Sequence, residues 1–136
     1  MGIKVLVVDD NNFMRGFLAN LIKKEKSVTE VLQAENGKIA LEVIDAKKPN
    51  VVVLDVEMPV MDGLEALRHI KELKKTKKID VKMKVIVLSG TMFENDANVR
   101  KARFLGATEI FAKPKGKSMA VDIDSQRLLK AINESV

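Results

Sequence analysis

The chain has 136 residues, no cysteine, 46% apolar and 32% charged residues, and a formal net charge of +5. That size suits one domain burying roughly two thirds of its unfolded surface; the composition argues against disorder, and the lack of cysteine excludes disulfides and thiolate metal sites. No apolar stretch has the length of a membrane span, the N-terminus lacks a signal-peptide core, and Leu6 replaces the Ser or Thr of a myristoylation signal. A cytoplasmic protein is expected.

Strand and helix patterns alternate along the chain. Ile3-Lys4-Val5-Leu6-Val7-Val8 reads as a strand ending at the acidic pair Asp9-Asp10. Asn11 or Asn12 can cap a helix carrying Phe13, Met14, Phe17, Leu18, Leu21 and Ile22 on an apolar face. Val28 to Ala34 is a second strand, and Asn36-Gly37 opens a helix with Ile39, Ala40, Val43 and Ile44 inward, stopping before Pro49. The run Val51-Val52-Val53-Leu54, bounded by Pro49 and Pro59, reads as a strand buried on both faces of a parallel sheet, and Asp55 closes it. Asp62 caps a helix from Gly63 to about Lys75, with Leu64, Leu67 and Ile70 facing inward.

The polar stretch Thr76 to Lys82 leads to a fourth strand, Met83 to Leu88, ending at Ser89-Gly90. A helix follows from about Glu94 to Leu105, which Gly106 terminates; Ala107 to Ala112 is a fifth strand ending at Lys113-Pro114. A last helix holds Leu128, Leu129 and Ile132. Five βα units with right-handed crossovers give an α/β, flavodoxin-like doubly wound fold, with a five-stranded parallel sheet of order 2-1-3-4-5 in a single domain spanning 1–136.

The basic residues Lys71, Lys74, Lys75, Lys77, Lys78, Lys82 and Lys84 crowd one helix end. They could attract nucleic acid, but lysine also complements the dipole at a helix C-terminus, and no aromatic or recognition-helix pattern accompanies them. Direct nucleic-acid binding is not expected.

A parallel sheet puts the ends of its strands on one edge, so Asp9-Asp10, Asp55, Ser89 and Lys113 can converge. Each alone has an ordinary reading: aspartate as helix cap, serine as turn, lysine as surface charge. Together, three carboxylates and one ammonium leave two negative charges, which one Mg²⁺ balances, and oxygen-only ligands suit that ion. A metal, a lysine, a hydroxyl and amides around a carboxylate suit phosphoryl transfer to Asp55.

The segments Val7-Val8-Asp9-Asp10, Leu54 to Gly63, Leu88-Ser89-Gly90 and Ala112-Lys113-Pro114 resemble, in order, the signature segments of response regulator receiver domains of the CheY-like kind. The resemblance covers essentially the whole chain. It implies that Asp55 takes a phosphoryl group from a histidine kinase, and that Asp10, Asp55 and the Glu57 backbone carbonyl bind Mg²⁺, with Asp9 acting through water. It also implies that Ser89, Lys113 and the Gly90 amide hold phosphoryl oxygens, that the Lys113-Pro114 bond is cis, and that the fourth helix, fifth strand and fifth helix contact a downstream protein. A signalling switch rather than an enzyme is expected.

Two departures stand out. The switch position three residues before Lys113, usually aromatic in this family, holds Ile110, while Phe111 should point to the other face. The Thr76 to Lys82 connection is long and reads as a surface insertion. The segment from Asp55 to Leu67 and the stretch after Pro114 look most like the receiver half of chemotaxis methylesterases. The chain is expected to be either a stand-alone chemotaxis receiver or the excised first domain of a larger regulator, with no output domain of its own.

Other signals carry less. Gly116-Lys117-Ser118 ends like a phosphate-binding loop, but Phe111 stands where its first glycine belongs. His69, the single histidine, reads as a surface residue. Met92 and Phe93 fall where a switching loop could expose them to a partner. An aspartate-nucleophile phosphohydrolase is the enzyme-class alternative, but it needs Asp-x-Asp on its first strand, where this chain has adjacent aspartates. A degenerate receiver that binds without phosphorylation would not need so complete a site.

Overall fold

The computed structural model describes residues 2–58, 60–90, 96–112 and 123–134. Its elements follow in chain order: β1 (Ile3–Val8), α1 (Asn12–Lys23), β2 (Val28–Ala34), α2 (Gly37–Lys47), β3 (Val51–Asp55), α3 (Gly63–Lys75), β4 (Lys84–Ser89), α4 (Asp96–Phe104), β5 (Glu109–Ala112) and α5 (Ile123–Asn133). The strands form one parallel sheet in the order β2-β1-β3-β4-β5, as the alternating pattern predicts.

Side-chain alternation divides the core in two. Leu6, Val8, Val52, Leu54, Val85, Val87 and Ile110 meet Ala40 and Ile44 of α2, Ala66, Leu67 and Ile70 of α3, and Ala102 of α4. Val5, Val7, Val51, Val53, Ile86 and Leu88 face the other way, onto Leu18 and Ile22 of α1 and Leu128 and Ile132 of α5. Period-two alternation within uninterrupted apolar runs is what a sheet covered on both sides requires. All of β3, Asp55 included, is buried.

Helix starts follow the cap chemistry in the sequence. The Asn11, Asn36 and Asp62 side chains accept from the amides of Met14, Ile39 and Glu65, satisfying donors that the first helical turn leaves over. Asn11, not Asn12, caps α1. Phe13, expected on the apolar face of α1, is instead 68% exposed. It lies in the first turn, whereas the buried residues of α1 fall in its second half, Leu18 to Ile22.

The later boundaries shift slightly from the sequence expectation. β4 runs from Lys84 to Ser89, because the Met83 amide turns back to the Asp80 carbonyl. Gly106 ends α4 with φ +103, and the Ala107 amide bonds back to Ala102, so β5 begins only at Glu109. Among the lysines, the Lys74 ammonium donates to the Met83 carbonyl at 2.5 Å. Its pKa is lowered by burial and by Lys84, with Asp80 opposing. Lys71 donates to the Phe104 carbonyl and sits 3.8 Å above that ring. These two lysines tie α3 to its neighbours. Among the described residues no helix is long and apolar enough to cross a membrane.

The turn from β3 into α3 is held tightly by backbone. The Gly63 amide donates to the Val56 carbonyl at 3.0 Å, and a Cβ on Gly63 would come within 2.4 Å of the Asp55 carbonyl oxygen. Nearby Val60 holds φ 68, an unfavourable conformation for a β-branched residue, and is largely exposed. Because the Gly63 contact is with backbone, Gly63→Ala is expected to destabilise the protein by about 1–3 kcal/mol, read as a lower urea midpoint.

Candidate functional site

Register brings the site together. Val8 pairs with Leu54, so Asp9 and Asp55 follow at the same level, and Asp55 pairs with Leu88, one residue before Ser89. Asp9, Asp10 and Asp55 each offer a carboxylate oxygen, and these oxygens lie within 4.8 Å of one another. Asp9 and Asp55 are buried, while Asp10 is exposed.

Local hydrogen bonds fix the geometry. Asp9 Oδ1 accepts from the Asn11 amide at 2.9 Å, and Asp55 Oδ1 accepts from the Glu57 amide at 3.1 Å; both are two-residue turns of the kind aspartate favours. The Val56 amide donates to the Leu88 carbonyl and the Asp9 amide to the Ala34 carbonyl, continuing the sheet past the strand ends. Arg15, one turn into α1, donates to the Asp9 carbonyl at 2.7 Å, to Asn12 Oδ1 and to Gln33 Oε1.

At the end of β4, the Ser89 hydroxyl donates to Glu57 Oε1 at 3.2 Å and the Gly90 amide to the same oxygen at 2.9 Å. Ile110 is buried, on the α4 side of the sheet, and Phe111 packs on the opposite side, as the strand periodicity predicts. His69 is exposed. Lys113, the Lys113-Pro114 bond, Met92 and Phe93 lie outside the described residues.

Two contributions escaped the sequence reading. Arg15 had a partial signal, its spacing from Asn12 within one helical turn, but its bonds to Asp9 and Gln33 need the fold. Glu57 stood out as a carboxylate beside Asp55, yet nothing in the chain announces that its side chain reaches residues 32 and 33 positions away.

Three carboxylates at this spacing, with no nitrogen or sulfur donor in the cluster, fit a hard divalent cation, and Mg²⁺ before softer metals. The response regulator receiver domain pattern matches residues 5–131. The chain belongs to that family. This receiver is 42% identical over 114 residues to a protein-glutamate methylesterase/protein-glutamine glutaminase of Geobacillus kaustophilus (strain HTA426), covering 84% of this chain and 31% of that protein. To a protein of the same name from Methanococcus maripaludis it is 33% identical over 135 residues, covering 98% of this chain and 35% of the other. The receiver thus spans about a third of the length of these curated relatives.

Among solved structures, the response regulator domain of Thermotoga maritima CheB superposes with a TM-score of 0.82 at 33% identity, over 99% of this chain and 96% of that one. Vibrio cholerae chemotaxis protein CheY4, at 24% identity and a TM-score of 0.78 over 100% of both chains, shares the fold.

Asp10 is the exposed member of the acidic cluster, so its removal tests the repulsion most cleanly. Charges this close near a protein surface repel by roughly 1–4 kcal/mol before salt screening. In the presence of EDTA, Asp10→Asn is expected to stabilise the receiver by about 1 kcal/mol, measured by urea denaturation, with the gain shrinking as salt is added.

Proposed function

We propose that this receiver accepts a phosphoryl group on Asp55 from the phosphohistidine of a histidine kinase and converts the modification into a change at a partner-binding face. The observation that carries this reading is the gathering of Asp9, Asp10 and Asp55 at one sheet edge, adjoining the Ser89 hydroxyl and the Gly90 amide. An Asp55 carboxylate oxygen attacks phosphorus in line. The O–P bond forms as the P–N bond of phosphohistidine breaks, and the imidazole leaves with the bonding pair.

Asp10, Asp55 and the Glu57 backbone carbonyl would hold Mg²⁺ directly, and Asp9 through a water. Bound there, the ion offsets negative charge on the phosphoryl oxygens. The Ser89 hydroxyl, the Gly90 amide and Lys113 would hold those oxygens as donors. Asp55 is only 2% exposed, so its carboxylate is held in one orientation by the surrounding protein.

The proposed output face comprises α4, β5 and α5. In place of a rotating aromatic, buried Ile110 would repack among the aliphatic side chains shared with α4. Likeness to the receiver of CheB supports a role in chemotaxis signalling, either alone or as the regulatory part of a longer methylesterase. In this reading the receiver assists its own phosphorylation and dephosphorylation but acts as a switch.

Incubation with acetyl phosphate and Mg²⁺ should add one phosphoryl group by intact mass. Asp55→Asn should add none, and EDTA should suppress the wild-type adduct. Steady turnover of unrelated phosphomonoesters would instead indicate a phosphohydrolase, and no adduct under any condition would leave a receiver that works without phosphorylation.

A further inference from the structure

Glu57 enters the acceptor reading only through its backbone carbonyl, yet its side chain makes two contacts at the end of β4. Its Oε1 accepts from the Ser89 hydroxyl at 3.2 Å and from the Gly90 amide at 2.9 Å. These are the same two donors that the reading assigns to a phosphoryl oxygen. A hydroxyl has one proton to give and an amide has one, so a carboxylate oxygen and a phosphoryl oxygen cannot both take them at full strength. Both are anionic acceptors, and bonds to ionised acceptors are roughly twice as strong as neutral ones, so the competition is between like partners.

We propose that Glu57 is an internal stand-in for the phosphoryl group: its carboxylate fills the phosphoryl-oxygen subsite at Ser89 and Gly90 and must be displaced when Asp55 is modified. This rests on Asp55 being the acceptor. The backbone geometry makes the arrangement possible. The Glu57 amide is anchored on Asp55 Oδ1 at 3.1 Å, so the side chain starts beside the acceptor and spans the gap to β4. Ser89 is 1% exposed, which leaves its hydroxyl few alternative partners in solvent. Displacement therefore opposes acceptance in two ways. Charge-assisted bonds must break, and an anion already present repels the anionic phosphoryl donor. Glu57 is a positioning residue in this scheme, acting through Ser89 and Gly90 rather than on phosphorus.

The test compares wild type, Glu57→Gln and Glu57→Ala with acetyl phosphate at Mg²⁺ concentrations saturating for each protein. Acceptance rates come from intact mass and the Gly90 amide is followed by NMR. Loss of bonds to a charged acceptor predicts acceptance about tenfold faster in Glu57→Ala. Glu57→Gln, which keeps the shape and a weaker neutral acceptor, should fall between the two. The Gly90 amide resonance should move in the unmodified Ala variant. It should coincide with wild type once both carry beryllofluoride, because the same oxygen-like acceptor then replaces Glu57. A Glu57→Ala rate within about twofold of wild type, where the predicted gain is about tenfold, overturns the proposal. So does a Gly90 resonance that ignores the substitution. Absence of an adduct in all three proteins is a different failure: it removes the Asp55 reading and this proposal with it.

Discussion

Crowded negative charge at the carboxyl edge of the sheet is the constraint around which the rest of the receiver is arranged. Three carboxylates place oxygens within 4.8 Å of one another, two of the residues buried, where repulsion is screened least. The fold answers with fixed dipoles before any cation is considered. The Asn11 and Glu57 amides point at Asp9 and Asp55, and the Arg15 guanidinium is fastened to the Asp9 carbonyl, bringing positive charge to the end of β1. Parallel register makes the crowding unavoidable, since Val8–Leu54 and Asp55–Leu88 pairing sets these residues side by side. Stability given up here is recovered in the two apolar layers below, where each large buried aliphatic side chain contributes roughly 1.5–3 kcal/mol.

Most of the scaffold was legible in the sequence because it depends on local rules. β-Branched runs gave the strands, Asn and Asp gave the helix caps, and alternation told Ile110 from Phe111. The misjudged places depend on context that a pattern does not carry. Phe13 fits the helical period of α1 but lies beyond the part of the helix that the sheet covers. Ala107 and Thr108 look like strand residues, yet the turn at Gly106 uses them to close α4 onto the sheet, with the Thr108 amide reaching the Val85 carbonyl. The acidic cluster could be inferred because strand ends in a parallel sheet coincide by topology. The Glu57 contacts could not, because a flexible side chain on a loop has no period to betray its direction.

The same distinction applies to the switch. A rotating aromatic is a device that one residue type at one position can announce, and position 110 holds an isoleucine instead. What the structure offers instead is distributed. Ser89 pairs with Ala112 and Val87 with Ile110, so a shift at the end of β4 reaches β5 through the backbone ladder before any side chain turns. Ile110 shares its apolar layer with Ala102 in the last turn of α4 and with Leu105 just after it. Close-packed aliphatic layers respond to a displaced neighbour by adopting another packing rather than by yielding gradually. In the proposed switch, an aliphatic residue at position 110 would pass the step on through strand position more than through a rotamer.

Glu57 then acquires a meaning that neither half of the site gives it alone. Its amide holds Asp55 and its carboxylate holds Ser89 and Gly90, so a single residue joins the end of β3 to the end of β4. If its carboxylate stands in for a phosphoryl oxygen, modification of Asp55 exchanges one acceptor for another at donors that are already occupied. The free energy that drives switching is then the difference between two anionic acceptors, smaller than the full strength of either. A modest difference suits a switch that must also reset. It also makes the side chain at position 57, rather than the three aspartates, the place where such a receiver can be tuned without losing its phosphoacceptor.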